Sequence, residues 1–192
     1  KDGIIKVLEA RYMVDSGAYT DIGPRIAKAI AVDCSGPYNI ENIWCDSVSI
    51  YTNHTYVTSY RGFGHSECTF CMERIIDKLA AKLGIDALEL RIRNAIKPGE
   101  YTPTQVKTTI SNTGSLTDCL TKLKELSEWD KWQVMKTEEG MIKAKGIGCL
   151  WKTSDSPVNA VSGVFLSCNS DGSININSGA VEIGPGTKTT LA

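Results

Sequence analysis

The chain has 192 residues, a formal net charge of −1 at pH 7, 42% hydrophobic and 22% charged residues. This is the balance of an ordinary folded protein, without the excess of positive charge that draws a chain onto nucleic acid or a membrane surface. No apolar run reaches the roughly 18 residues of a membrane-spanning helix, and no secretion signal is expected.

The first predicted element is a strand over residues 4–14, where Leu8, Ala10, Tyr12 and Val14 alternate with Glu9, Arg11 and Met13. Asp15-Ser16-Gly17 turns the chain, and residues 22–34 form a helix with Pro24 in its first turn. Gly36-Pro37 ends it, and Ile40 to Tyr51 is extended, as one strand or two. After the glycine-rich stretch Ser59 to Gly64, residues 66–83 make the clearest helix. Its apolar stripe is Met72, Ile75, Ile76, Leu79 and Leu83, with Glu73, Arg74, Asp77, Lys78 and Lys82 around the rest and Gly84 at its end. Asp86 caps the next helix, which carries Leu88, Ile92 and Ile96 inward, can pair Glu89 with Arg93, and stops at Lys97-Pro98-Gly99. Residues 100–114 read as a loop. Ser115 caps a third helix with Leu116, Leu120, Leu123 and Trp129 inward, and residues 136–145 read as a charged surface connection. Val161 to Cys168 and Ser173 to Ile183 are strands around the turn Asn169-Ser170-Asp171-Gly172. A helix begins near Thr189. Helices grouped between strands imply an α+β fold with mixed sheets and helices packed against them. An opening without Met and a close inside a helix read as an internal piece of a longer polypeptide.

The seven cysteines are an odd number in a chain with no secretion signal, which favours reduced thiols in the cytoplasm. Cys68-Thr69-Phe70-Cys71 is the closely spaced pair, but His54 and His65 are the only histidines and no second pair completes a zinc set. No metal ligand is assigned. Gly62-Phe63-Gly64 and Gly146-Ile147-Gly148 lack the third glycine of a dinucleotide fingerprint, since Glu67 and Trp151 stand there. Gly179 and Gly184 have the spacing of a phosphate loop, but Pro185 replaces its lysine.

Two glycine loops remain as candidate sites. In Arg61-Gly62-Phe63-Gly64 the glycines let backbone approach a ligand, Phe63 can lie against a planar group, and Arg61 offers a fork for anionic oxygens. The alternative is a tight turn with Phe63 in the core. In Gly184-Pro185-Gly186-Thr187 the amides and the threonine hydroxyl can hold phosphate or pterin oxygens, or the loop is a plain strand-to-helix turn.

These residues, with Asp15-Ser16-Gly17-Ala18-Tyr19, Glu73-Arg74-Ile75-Ile76-Asp77, Leu83-Gly84, Glu89-Leu90-Arg91 to Asn94, and Gly179 to Thr187, occur in the same order in another group of proteins. In this the chain resembles the molybdopterin-binding large subunit of the xanthine dehydrogenase and aldehyde oxidase family, the molybdenum hydroxylases, over nearly its whole length. The resemblance implies part of a two-lobed molybdopterin-binding domain. Residues 1–112 would end the first lobe, and residues 113–192 would form a linker helix and the start of the second. It implies hydroxylation of a purine- or nicotinate-like heterocycle or an aldehyde, with water as oxygen source. It also implies a molybdenum–molybdopterin cofactor, plain or as a cytosine dinucleotide, with FAD and [2Fe–2S] clusters on partner subunits or domains. Arg61, Gly62, Gly64, Gly184, Gly186 and Thr187 would contact the cofactor, and Phe63 the substrate.

Some positions depart from the family pattern. Pro185 stands where the late loop commonly carries glutamine, and His65-Ser66-Glu67 where glycine-proline-glutamine is common. The family's catalytic glutamate lies beyond this segment, so no catalytic residue is assigned and the piece alone is expected to be inactive. The expected partners are the remainder of the molybdenum subunit, the FAD and iron–sulfur subunits, a small-molecule substrate and a second copy of the chain. The rival readings are a non-catalytic, self-associating scaffold of the same fold and a phosphate- or nucleotide-binding module.

Overall fold

The computed structural model describes residues 2–131, 134–136, 139–152, 161–182 and 184–191, with Met135 and Lys136 described by their backbone. The early alternating segment is strand β1 (Val7–Asp15), paired parallel with β2 (Asn42–Ile50) from Val7 opposite Asn42 to Asp15 opposite Ile50. Parallel neighbours need a crossover rather than a tight hairpin, and helix α1 (Gly23–Val32) supplies it, packing on both strands. The α+β character holds, with one βαβ unit inside it. Pro24 sits in the first turn of α1, where its missing N–H costs nothing, and Ile26, Ala27 and Ile30 are buried. Leu8, Ala10, Tyr12 and Val14 are half-buried, while Val7, Met13, Trp44, Val48 and Ile50 lie on the exposed face.

Helix α2 (His65–Leu83) buries Cys68, Met72, Ile76 and Ala80 and ends on Gly84, whose φ of +67° is open to glycine at little cost. Its buried stripe is narrower than expected. Ile75 is 54% exposed and Leu83 40% exposed, while Glu73 is buried. The reason lies on helix α3 (Ala87–Asn94), where Arg91 is fully buried between α2 and α3. Its Nε donates to Glu73 Oε2 at 2.8 Å, its Nη2 to Asp77 Oδ1 at 2.8 Å, and its Nη1 to the Ala87 carbonyl at 2.9 Å. Tyr38 Oη donates to Glu73 Oε1, and the Cys149 amide donates to Glu73 Oε2 at 3.0 Å. A charge so enclosed persists only when paired and hydrogen-bonded, and here each carboxylate oxygen of Glu73 has a donor.

The cap of α3 is as expected: Asp86 accepts from the Leu88 amide at 2.9 Å and the Glu89 amide at 3.0 Å. Glu89 pairs with Arg93 at 2.9 Å. Asn94, at the end of α3, holds the opening segment. Its Nδ2 donates to the Gly3 carbonyl at 2.7 Å, and its Oδ1 accepts from the Ile5 amide at 2.8 Å. Leu88 and Leu90 are fully buried beside Tyr38, Met72 and Ile76 in the main core, each such side chain adding about 1.5–3 kcal/mol by leaving water.

The stretch read as a loop holds one helical turn, α4 (Ile110–Thr113), because Thr109 and Asn112 form a reciprocal capping box. Helix α5 (Leu116–Leu126) starts at Ser115 as expected, but Leu123 is 44% exposed and the inward residues are Leu116, Leu120 and Trp129. The charged connection contains a short antiparallel pair, β3 (Met135–Lys136) with β4 (Ile142–Lys143). Strands β5 (Val164–Cys168) and β6 (Ile174–Ser178) form the expected antiparallel hairpin. Ile183, the predicted end of that second strand, lies outside the described residues. A short helix α6 (Thr187–Leu191) follows. The contacts divide the chain into two units, Lys1–Thr153 and Ser154–Ala192. Among the described residues, no helix is long and apolar enough to cross a membrane.

Candidate functional site

In the first unit the loop before α2 has an unusual backbone. Gly62, Phe63 and Gly64 have φ of +98°, +50° and +87° in succession. Glycine accepts such values readily, whereas an aromatic residue there is a strained outlier costing about 1–3 kcal/mol. The loop is held by Ser59 Oγ, which accepts from the Phe63 amide at 3.1 Å, and by the Gly62 carbonyl, which accepts from the His65 amide at 2.9 Å. A Cβ at Gly64 would stand 2.8 Å from the Ile26 carbonyl oxygen, so α1 and the loop meet only because that position is glycine. Gly64 caps α2 without a side chain, leaving this helix end to the loop.

Arg61 is exposed, with its guanidinium 5.5 Å from the centre of the Tyr60 ring, and it forms no ion pair among the described residues. Phe63 is half-buried and packs on the cluster of Ile26, Ile30 and Cys68. Arg61, Gly62, Phe63 and Gly64 are therefore one structural group, fixed to the joint between α1 and α2. Beneath them, His65 Nδ1 lies 2.5 Å from Asp33 Oδ2, both side chains being buried. This pair ties the start of α2 to the end of α1. Cys68 is also buried here, and burial pushes its thiol up to about 11, which keeps it protonated and unreactive.

A second polar cluster lies at the end of β1. Asp15 accepts from Thr52 Oγ1 at 2.6 Å and from the Gly17 amide at 2.9 Å, and His54 Nδ1 is 2.6 Å away. The Thr52 hydroxyl first, then the Gly17 amide and His54, lower the Asp15 carboxyl to about 2. The turn at Asp15-Ser16-Gly17 is legible in the sequence, whereas nothing local marks Thr52 and His54, which the parallel pairing of β1 and β2 brings there.

The second unit carries the late loop. Gly184 and Gly186 have φ of +115° and +83°. Their amides do not stand open. Glu182 Oε1 accepts from Gly184 N at 2.7 Å and from Gly186 N at 3.3 Å, and Oε2 accepts from Lys188 N at 3.3 Å. Thr187 Oγ1 donates to the Val181 carbonyl at 3.3 Å. Gly184, Gly186 and Thr187 thus form one turn whose donors are engaged within the unit.

Two family models match the chain, each described as a molybdopterin cofactor-binding domain, over residues 1–95 and 122–192. The chain belongs to the molybdopterin cofactor-binding family. Within this family it is 33% identical, over its whole length, to the putative xanthine dehydrogenase molybdenum-binding subunit XdhA of Escherichia coli strain K12, of which it covers 26%. It is 30% identical over 97% of its length to the aldehyde oxidoreductase of Megalodesulfovibrio gigas, covering 20% of that protein. The crystal structure of the aldehyde oxidoreductase from Desulfovibrio desulfuricans superposes with a TM-score of 0.71 and 28% identity, over 91% of this chain and 19% of the other. The chain spans about a quarter of the length of the curated xanthine dehydrogenase subunit it matches. The α+β fold and the resemblance to molybdenum-binding subunits are therefore established.

Proposed function

We propose that this chain supplies part of the cofactor and substrate walls of a molybdenum hydroxylase. Its substrate is a purine- or nicotinate-like heterocycle or an aldehyde, and water is the oxygen source. The observation that carries this reading is the left-handed loop from Gly62 to Gly64 with the exposed Arg61, which forms no ion pair among the described residues, beside it. Such a loop suits the molybdenum–molybdopterin group: two residues without Cβ allow close backbone approach, and an exposed guanidinium meets anionic oxygens. When bound, that group supplies the two-electron redox chemistry. Arg61 would hold its anionic ligands, Gly62 and Gly64 would leave room for it, and Phe63 would present the open part of its ring to a flat substrate. The partial positive charge at the start of α2 adds about 0.3–1 kcal/mol of attraction for an anion there.

Gly184, Gly186 and Thr187 fit the cofactor role less directly, since each donor already has an acceptor. They would contact the group only by exchanging those bonds. The cytosine dinucleotide form, the FAD and [2Fe–2S] partners, the rest of the molybdenum subunit and a cytoplasmic setting belong to the same proposal. Relatives named as subunits and seven free cysteines support it. A division into lobes at residues 112/113 belongs to the proposal too, and lies in the interval between the two family matches.

The test is the molybdenum and pterin content of the full native polypeptide, produced with its neighbouring genes. Stoichiometric molybdenum is expected, and Arg61→Ala should lower it. A native polypeptide without molybdenum, from a host that inserts the metal, would overturn the reading. The self-associating scaffold is the second reading. The exposed Val7, Met13, Trp44, Val48 and Ile50 on one sheet face favour it. Concentration-dependent size in sedimentation, with no pterin bound, would support that reading.

A further inference from the structure

The late glycine loop contains its own anion. Successive backbone amides turned toward one point form a cradle for an oxyanion, and in this chain that point is occupied by the Glu182 carboxylate. Pro185 carries no N–H, so the loop donates from the residues around it, Gly184, Gly186 and Lys188. Glu182 forms no ion pair among the described residues, so these amides are what balances its charge. The positive φ at Gly184 and Gly186 is what turns both amides to the same oxygen.

We propose that Glu182 is a positioning residue: it presets the late glycine loop as a built-in anion and keeps Gly184, Gly186 and Lys188 from taking phosphate or another free oxyanion. A second anion at the same amides would meet the carboxylate at close range and be repelled. The phosphate-binding reading of this loop is disfavoured on the same ground, although the glycine spacing invites it. The Gly184 amide, with those of Lys188 and Gly186, lowers the carboxyl below its ordinary value, so it remains an anion at neutral pH. The inference goes beyond the hydroxylase reading and does not need it, because it concerns the loop's own amides.

The experiment is amide hydrogen exchange, read residue by residue on the full polypeptide, in chloride and in inorganic phosphate at equal ionic strength. In the wild-type protein, phosphate should leave exchange at Gly184, Gly186 and Lys188 unchanged. In Glu182→Ala the same amides should exchange about tenfold faster or more in chloride, the effect of losing a charged acceptor. Phosphate should slow them again, a chemical rescue that a merely structural glutamate would not show. Unchanged exchange in Glu182→Ala, or protection of the wild-type amides by phosphate, would overturn the proposal. If the β5–β6 amides show that Glu182→Ala is unfolded, Glu182→Gln decides. It retains the side-chain shape without the charge, and phosphate should protect its loop; no response to phosphate overturns the proposal. Molybdenum content plays no part in this readout, so a failure here and a failure of the hydroxylase reading are told apart.

Discussion

Phe63 combines two roles that the sequence left as alternatives. Its ring packs on Ile26, Ile30 and Cys68, yet its backbone sits at φ +50° and its side chain is only half-buried. Phe63→Ala relieves none of the backbone strain and removes the part of the ring open to a ligand. In the full enzyme it should raise KM for flat heterocycles about tenfold while molybdenum stays bound, from loss of about 0.5–1.5 kcal/mol of aromatic contact plus its area. Steady-state kinetics with metal analysis reads this, and unchanged KM removes Phe63 from the pocket. Asp15 makes a prediction in pH. Its folded carboxyl is lowered to about 2, below the ordinary 3.8, so the stability it lends is present above 3.8 and is lost as pH falls through 2. Protection of the Gly17 and His54 amides, with intrinsic exchange divided out, should therefore fall between pH 4 and 2, and Asp15→Asn should abolish that fall. The glycines, Arg61 and the caps were readable because each acts through its own backbone or next neighbours. Asp15 with Thr52 and His54, and Asp33 with His65, were not, since their partners lie on other elements.

Among the elements, the helices and their capping residues followed from local chemistry. Asp86, Ser115 and Gly84 stand where the sequence places them. The facing of α2 did not follow. Periodicity counted Glu73 as a solvent residue and Ile75 as core, and the structure has them reversed. Hydrophobic patterning has no way to announce that a buried arginine on another helix will claim a glutamate. The parallel pairing of β1 with β2 was likewise hidden, because alternation reports a half-buried face and is silent on direction. The Arg91 contacts join α2, α3 and, through Glu73, the Cys149 amide. Arg91→Ala leaves Glu73 buried without its main cation and should destabilise the first unit by about 3–5 kcal/mol. Arg91→Ala paired with Glu73→Ala should cost less than the sum of the single changes. Denaturant unfolding of the full polypeptide, followed through exchange in α2 and α3, measures both.

For the molecule as a whole, the chain covers 26% of a relative that matches it from end to end. The candidate cofactor loops are both inside it, and the resemblance implies a catalytic glutamate beyond it. Hydroxylation by the isolated 192 residues should therefore be undetectable in a dye-reduction assay with aldehyde or purine substrates. Turnover by this chain alone would refute the expectation that its base lies elsewhere. The sequence conveyed the family well, because its motifs are contiguous runs. It conveyed the internal filling of the late loop poorly, because Glu182 looks like any exposed strand-end acid until its amides are seen.

The clasp of Asn94 on Gly3 and Ile5 also sets a timetable. The bonded groups are 91 and 89 residues apart, so a ribosome making roughly 5–20 residues per second delivers the first partners roughly 5–20 seconds before the last. Through that interval the nascent opening segment has no Asn94 to bind, and β1 waits in turn for β2. Chains stalled at increasing lengths should stay open to protease near Gly3 until Asn94 has cleared the exit tunnel, and become resistant soon after. The segment around Gly3 and Ile5 is thus made before the residue that holds it, and leaves the ribosome without that cover.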